Sequence, residues 1–317
     1  MAPYRLLFMG TAPIAAPALR ACAAIDGVEL LAAVSQPPAR RGRGRKLSPS
    51  ALHQAALELG LEVATPQRFA GDEGDEILDT YRPDACVVMA YGQIIKANHL
   101  ARCPSRWLNL HGSLLPRWRG AAPIERCLEA GDERTGMQLM QMESGLDTGP
   151  VFAELSCSAA GHTSATLNQA LAEIAAELLQ RDLLRVLQGE LKAKPQSAEG
   201  ACYAHRLERA DGQIDFLGSA EVWARKSRAF DPKLGLRCKL TFQQKEFGIK
   251  IWSADVVAEV EALKPGQILR ADRKALWVSC ERGVLNLRSL QLDGKKRLNW
   301  SELRAGLALS ESDLFHT

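Results

Sequence analysis

Asn109, His111 and Asp147 carry groups that can do chemistry together. Asn109 and His111 stand two apart at the close of a short apolar run, Trp107–Leu110. While the chain stays extended, that spacing points both side chains to one face. Asn109 offers an amide donor, and His111 can take or give a proton near neutral pH. Asp147 lies in Glu143-Ser-Gly-Leu-Asp-Thr-Gly-Pro150, a turn dense in glycine. If that turn comes beside the strand end, its carboxylate orients and charges the imidazole. The set then suits acyl-type transfer to an amine. Amide and imidazolium stabilise the charge gathering on a carbonyl oxygen, and the carboxylate takes up the amine's proton directly or through water. Each residue also has a plainer use: a histidine after a strand as a structural hydrogen-bonder, an aspartate in such a turn as a turn former. No G-x-S-x-G elbow is present, so covalent catalysis is not favoured. The cysteines are scattered without close pairs, which excludes a metal knuckle and reads as reduced thiols in core gaps.

Positioning these groups takes a strand that opens into a stiff loop, outside the carboxyl edge of an α/β sheet. The chain begins that way. Arg5–Met9 reads as a strand, Gly10-Thr11 as a turn, Pro17–Ala24 as a helix and Val28–Val34 as a second strand. This is a βαβ unit and implies a parallel sheet. Its turn lacks the full G-x-G-x-x-G, so a dinucleotide site is not expected. Ser48-Pro49 starts a helix that Gly60 stops. Ala85–Ala90 is a strand, Ile94–Leu100 a short helix, Ala121–Ala130 a helix, and Met137–Met142 and Val151–Leu155 strands. Thr163–Leu187 is the longest helix, with Thr163 as N-cap and Gly189 just past its end. Residues 190–210 then read as a linker. Beyond it, Ser219–Phe230 is a helix. Short strands follow at Leu236–Phe242, Gly248–Trp252, Gln267–Leu269, Leu276–Ser279 and Val284–Leu290, with turn signals between them. That pattern predicts a small β-barrel.

At 317 residues the chain is long for one core. A hydrophobic fraction of 46% and a charged fraction of 24% are those of an ordinary soluble protein. No apolar run is long enough to span a bilayer, and the N-terminus lacks a signal-peptide pattern, so a cytoplasmic protein is expected. A net charge of +3 does not by itself announce a nucleic-acid partner. A local cluster points to polyanion binding, with a solvated linker as its plainer use. Arg40, Arg41, Arg43, Arg45 and Lys46 crowd among glycines and prolines within residues 36–48. Their mutual repulsion predicts an open, solvated loop fit for phosphate contacts.

The run Asn109-Leu-His-Gly-Ser-Leu-Leu-Pro-Arg-Trp-Arg-Gly-Ala-Ala-Pro-Ile124 closely resembles a signature of the methionyl-tRNA formyltransferase family, as does Met140-Gln-Met-Glu-Ser-Gly-Leu-Asp-Thr-Gly149. Gly10-Thr11, Ala90-Tyr91-Gly92, Tyr203 with Leu207, Arg228-Ala229-Phe230, Leu285-Asn-Leu, Gln291 and Gly294-Lys-Lys296 carry the likeness over nearly the whole chain. The chain departs from the family at Gly10-Thr-Ala-Pro-Ile, and at Asp-Pro-Lys-Leu-Gly after Phe230.

The resemblance implies a doubly wound, mostly parallel α/β catalytic domain over 1–189, a linker over 190–210, and an OB-like, tRNA-binding C-terminal β-barrel over 211–317. It implies formyl transfer from 10-formyltetrahydrofolate, a co-substrate, to the amino group of initiator methionyl-tRNA, with no metal, in a monomer. Asn109 and His111 would polarise the formyl oxygen, and Asp147 would serve the proton transfers. Ser113, Leu114, Leu115 and Pro116 would line the folate site, and the strand end Met89, Ala90, Tyr91 and Gly92 would flank the pterin. Arg40, Arg41, Arg43, Arg45 and Lys46 would meet the tRNA acceptor end, with Arg206 also near the tRNA. Two other readings compete. One is a formyltransferase acting on a sugar amine or purine precursor. The other is an RNA-binding protein on an inactive scaffold.

Overall fold

Leu6, Leu7, Phe8 and Met9 are all fully buried, as a strand covered on both faces requires. They form the middle of the first sheet in the computed structural model, which describes residues 2–41, 46–103, 106–257, 264–311 and 313–317, with Arg41 described by its backbone alone. In chain order the elements are β1 (Tyr4–Gly10), α1 (Ala15–Ala23), β2 (Val28–Val34), β3 (Ala39–Arg41), β4 (Lys46–Ser48), α2 (Ala51–Glu58), β5 (Val63–Ala64), α3 (Asp72–Tyr81), β6 (Ala85–Met89), α4 (Ala97–Leu100), β7 (Arg106–His111), β8 (Arg119–Gly120), α5 (Pro123–Ala130), β9 (Arg134–Gln141), β10 (Val151–Ser158), α6 (Ser164–Leu187) and β11 (Tyr203–Ala204). After them come a 3-10 turn (Arg209–Gly212), α7 (Ala220–Phe230), β12 (Leu236–Phe242), β13 (Lys245–Val257), β14 (Ile268–Ala271), β15 (Leu276–Ser279), β16 (Val284–Leu292), β17 (Leu298–Asn299), α8 (Trp300–Leu303) and β18 (Leu314–His316).

The first sheet runs β10-β9-β7-β6-β1-β2-β5. All its pairings are parallel except those of β9, which is antiparallel to both β7 and β10. The chain winds outward from β1 through β2 to β5, then crosses back to β6. Strand order therefore reverses between β1 and β6, and a ligand crevice belongs outside the carboxyl ends of those strands. That place is built closely. The Thr11 amide donates to Ala90 O at 3.2 Å and its hydroxyl to Tyr91 O at 2.8 Å. A Cβ on Gly10 would stand 2.8 Å from Met89 O, so glycine alone lets the two strand ends approach.

The second sheet is antiparallel, in the order β14-β15-β16-β13-β12-β18, with β17 also on β16. Gln267, just before β14, bridges Leu314 of β18, so the sheet curls until its two edges meet. Phe216 and Phe315 pack inside with ring centroids 5.9 Å apart, among Leu236, Leu240 and Leu285. The chain divides into two compact units. One comprises Met1–Pro123, Arg134–Ser158 and Asn168–Ala204; the other comprises Ile124–Glu133, Ala159–Leu167 and His205–Thr317. In the first, α6 buries Leu171, Leu178, Leu179 and Leu183 completely.

Several local expectations need correction. Residues 36–48 do not form a wholly open loop: β3 and β4 pair antiparallel, with Arg40 opposite Leu47. Repulsion among side chains does not prevent a ladder whose hydrogen bonds lie along the backbone, since Arg40 and Lys46 still point to water. The helix expected from Ser48-Pro49 starts later. Ser48 ends β4, and the Ser50 hydroxyl caps α2 by accepting from the His53 amide at 3.0 Å. Ile94–Leu100 is helical only over one turn, Ala97–Leu100. The helix expected from Ala121 begins at Pro123, a residue preset for a first helical position. The helix α3 was not expected at all. Its acidic start and Gly74 hide a short apolar stripe at Ile77 and Leu78. Residues 190–210 carry structure of their own: Lys194 bridges Val151, and β11 pairs in parallel with β8.

Candidate active site

β7 delivers Asn109 and His111. Its register against β9 pairs Asn109 with Met140 and His111 with Gln138, and both side chains leave the same face, as their spacing predicts. β9 ends opposite Leu108, and the loop after it folds back over that face. The loop is cinched at its base, where the Gln141 amide donates to Pro150 O at 2.9 Å. A Cβ at Gly149 would lie 1.9 Å from Gln141 O, so a side chain there would push the loop off its strand.

Asp147 thereby meets both earlier residues. Its Oδ1 accepts from Asn109 Nδ2 at 3.4 Å, and its Oδ2 lies 3.6 Å from His111 Nδ1. These distances are long for hydrogen bonds, so amide and imidazole reach the carboxylate without being saturated by it. A tighter bond holds Oδ2, which accepts from the Gly120 amide at 2.8 Å. The ring is fixed from its other side, with His111 Nε2 2.9 Å from Trp118 O. A carbonyl only accepts, so Nε2 carries a proton. Nδ1 then faces a carboxylate oxygen of Asp147. His111 is 5% exposed and Asp147 17%, so this electrostatic contact is largely withdrawn from water.

The crevice at the β1/β6 reversal holds the second set of candidates. Met89 is buried, Ala90 turns left-handed at φ 49° and is exposed, and Gly92 follows at φ 78°. Tyr91 O accepts from Thr11 Oγ1 and from Gln36 Nε2, the latter at 2.9 Å. Burial, and then the Glu73 carboxylate, push the Tyr91 phenol well above its ordinary range, so it stays protonated. In the loop after β7, the buried Ser113 hydroxyl turns inward and donates to Arg117 O at 2.7 Å. The Leu115 amide donates to Gln138 Oε1 at 2.8 Å, and Gln138 in turn donates to Glu154. Ser113 thus closes a turn here, while Leu114 and Pro116 stay half-buried.

Of the basic candidates, Arg40 and Lys46 are exposed on the β3–β4 hairpin, and Arg206 is exposed in the second unit. Arg43 and Arg45 lie outside the described residues, as does the side chain of Arg41. The sequence reading missed Trp118, Arg119, Gly120 and Gln196. The first three lie inside the long motif, and only bonds in the fold reveal them: Trp118 O to the His111 ring, the Gly120 amide to Asp147, and the Arg119 guanidinium to Gln196. Gln196 stands in a polar stretch that carries no periodic signal. Its Nε2 donates to Asp147 O at 2.8 Å and Gly149 O at 2.7 Å, and its Oε1 accepts from Arg119 Nε at 3.0 Å and Nη2 at 2.8 Å.

Comparison with known proteins identifies the family. The family described as Formyl transferase matches residues 4–183, and Formyl transferase, C-terminal domain, matches residues 206–308. The methionyl-tRNA formyltransferase of Aromatoleum aromaticum is 40% identical over 315 residues, covering 99% of this chain and 98% of that protein. That of Paracoccus denitrificans is 39% identical over 308 residues, covering 97% and 99%. Among solved structures, an N-formyltransferase from Helicobacter canadensis in complex with folinic acid and dTDP-3-aminofucose superposes with a TM-score of 0.65 at 16% identity. It covers 94% of this chain and 100% of that one. HypX from Aquifex aeolicus in complex with tetrahydrofolic acid gives 0.62 at 16% identity, covering 96% of this chain and 47% of that one. At such identities the two structures speak for the fold.

Proposed function

The chain belongs to the methionyl-tRNA formyltransferase family, and from that premise we infer that it moves the formyl group of 10-formyltetrahydrofolate onto the amino group of initiator methionyl-tRNA. The observation that carries the reading is the meeting of Asn109, His111 and Asp147 at the end of β7. When bound, 10-formyltetrahydrofolate supplies the one-carbon unit. The strand end Met89–Gly92 and the loop Ser113–Pro116 would hold it. The closeness of this lip of the crevice supports the fit: a Cβ on Gly92 would come within 2.6 Å of Gln36 Nε2 and displace the side chain that holds Tyr91 O, so glycine keeps the crevice open.

The chain's own residues then do the following. Asn109 Nδ2 and His111 draw on the formyl oxygen and stabilise its developing negative charge. Asp147 faces the His111 ring and receives, directly or through water, the proton that the attacking amine must lose, and it returns a proton to the folate nitrogen as that nitrogen's bond to the formyl carbon breaks. Arg40 and Lys46 meet tRNA phosphates from β3 and β4, Arg41, Arg43 and Arg45 add their charges to the same stretch of sequence, and Arg206 meets the tRNA from the second unit. We assign catalysis to residues 1–189 and tRNA binding to the barrel of 211–317, with 190–210 joining them, in a cytoplasmic monomer. Among the described residues, no helix is long and apolar enough to cross a membrane.

The deciding experiment is formylation of initiator methionyl-tRNA, elongator methionyl-tRNA and a small amino sugar, side by side. The expected result is turnover with the initiator tRNA, little with the elongator and none with the sugar. Turnover on the sugar alone would overturn the assignment of acceptor, and absence of folate turnover with any acceptor would overturn the assignment of activity.

A further inference from the structure

We infer that Gln196, braced by Arg119, is the positioning residue that sets the Asp147 carboxylate, an inference that rests on the catalytic reading of Asp147 given above. Asp147 has φ 51°, a left-handed conformation that a non-glycine residue holds only where its surroundings impose it. Gln196 imposes it. One side-chain amide donates both its hydrogens to carbonyls on either side of Thr148, those of Asp147 and Gly149. The amide's orientation is not open to reversal. Carbonyls accept and a guanidinium donates, so nitrogen must face the loop and oxygen must face Arg119.

The brace then returns to the site. Arg119 sits between Trp118, whose carbonyl takes the His111 ring, and Gly120, whose amide takes Asp147 Oδ2. Imidazole, carboxylate and loop backbone are therefore all referenced to one three-residue piece. That piece is itself secured, since Arg119 and Gly120 pair with Tyr203 and Ala204. The Gln196 amide is fully engaged by these four bonds, so it acts on the reaction through Asp147. Moving a catalytic group by about 1 Å can cost about a hundredfold in rate.

The test uses the full chain in steady-state formylation, with Gln196→Glu, Asp147→Asn and the double variant. Gln196→Glu keeps shape and the Arg119 partner but turns an oxygen toward each loop carbonyl. The expected result is a fall in kcat of about ten- to hundredfold, with KM for folate and tRNA each within about twofold of the parent. In the Asp147→Asn background the same change should cost less than about threefold, because its target is already gone. Equal losses in both backgrounds would overturn the inference, as would a loss confined to KM. Parent-level kcat in Gln196→Glu, with Asp147→Asn impaired, would overturn the inference alone. Parent-level kcat in Asp147→Asn would end the catalytic reading and the inference together. If Gln196→Glu fails to fold, Arg119→Gln takes its place in the same cycle. It is expected to lower kcat in the same direction by a smaller factor, again only where Asp147 is present.

Discussion

On the proposed mechanism, removing the amide at Asn109 or the ring at His111 takes away one donor to the formyl oxygen. Such a loss typically raises the barrier by about 2.7–4 kcal/mol. Asn109→Ala and His111→Ala should therefore each lose about a hundred- to a thousandfold in kcat while tRNA affinity, measured by filter binding, stays near the parent value. Loss of tRNA binding without loss of chemistry would contradict the roles assigned to both. At this scale much of the site was legible beforehand. Two polar residues at i, i+2 after an apolar run announce a strand end with a working face. The meeting with Asp147 was only conditional, because it depends on the β7–β9 register, which no local pattern encodes. The bonds from Trp118 and Gly120 were invisible, since a backbone carbonyl or amide leaves no mark in residue type.

The elements can be tested at their turns. In the β9–β10 hairpin, Gly149→Ala would drive a methyl group against the backbone of Gln141, which cannot swing aside as a side chain does. A destabilisation of about 1–3 kcal/mol in urea unfolding is expected, together with slower formylation, because the same loop carries Asp147. The β14–β15 hairpin offers a pH test. The Arg270 side chain, then the amides of Lys274 and Ala275, hold the Asp272 carboxyl down at about 2. A carboxyl depressed on folding adds stability above its unfolded value of about 3.9 and loses it as pH falls through the folded value. Asp272→Asn should thus lower Tm at neutral pH, and its deficit should shrink between pH 4 and pH 2. A deficit that grew on acidification would contradict the pairing. Strands with clean boundaries were read off the chain residue for residue: β2, β12 and β15 match their expected spans. Gly27 and Gly235 stand just before β2 and β12, and the charged Arg273-Lys274 shortly before β15. The β3–β4 ladder was missed because charge composition speaks about side chains, while a ladder is built from the backbone.

Across the whole molecule, the parallel sheet and the curled antiparallel sheet were both foreseeable, one from strand–helix alternation and the other from short strands with turns between them. How the units divide the chain was not, because α5 and the first turn of α6 group with the second unit although the sequence sets them among the sheet strands. The basic hairpin gives the prediction for this scale. Replacing Arg40, Arg43 and Lys46 together by serine should raise KM for tRNA with little change in kcat. The dependence of log K on log salt should become shallower by about 0.7–0.9 for each phosphate that is no longer neutralised. An unchanged salt slope would detach this segment from the tRNA.

Gln196 and Ala204 stand well downstream of the reacting side chains they support. During synthesis, Asn109, His111 and Asp147 have all left the ribosome before the long helix is finished, yet the nascent chain is still missing the pieces that lock them together. Activity on stalled chains of increasing length should accordingly switch on late, after the segment through Ala204 has emerged. A polypeptide cut shortly after α6 should, on this reading, carry all three proposed catalytic side chains and still turn over nothing.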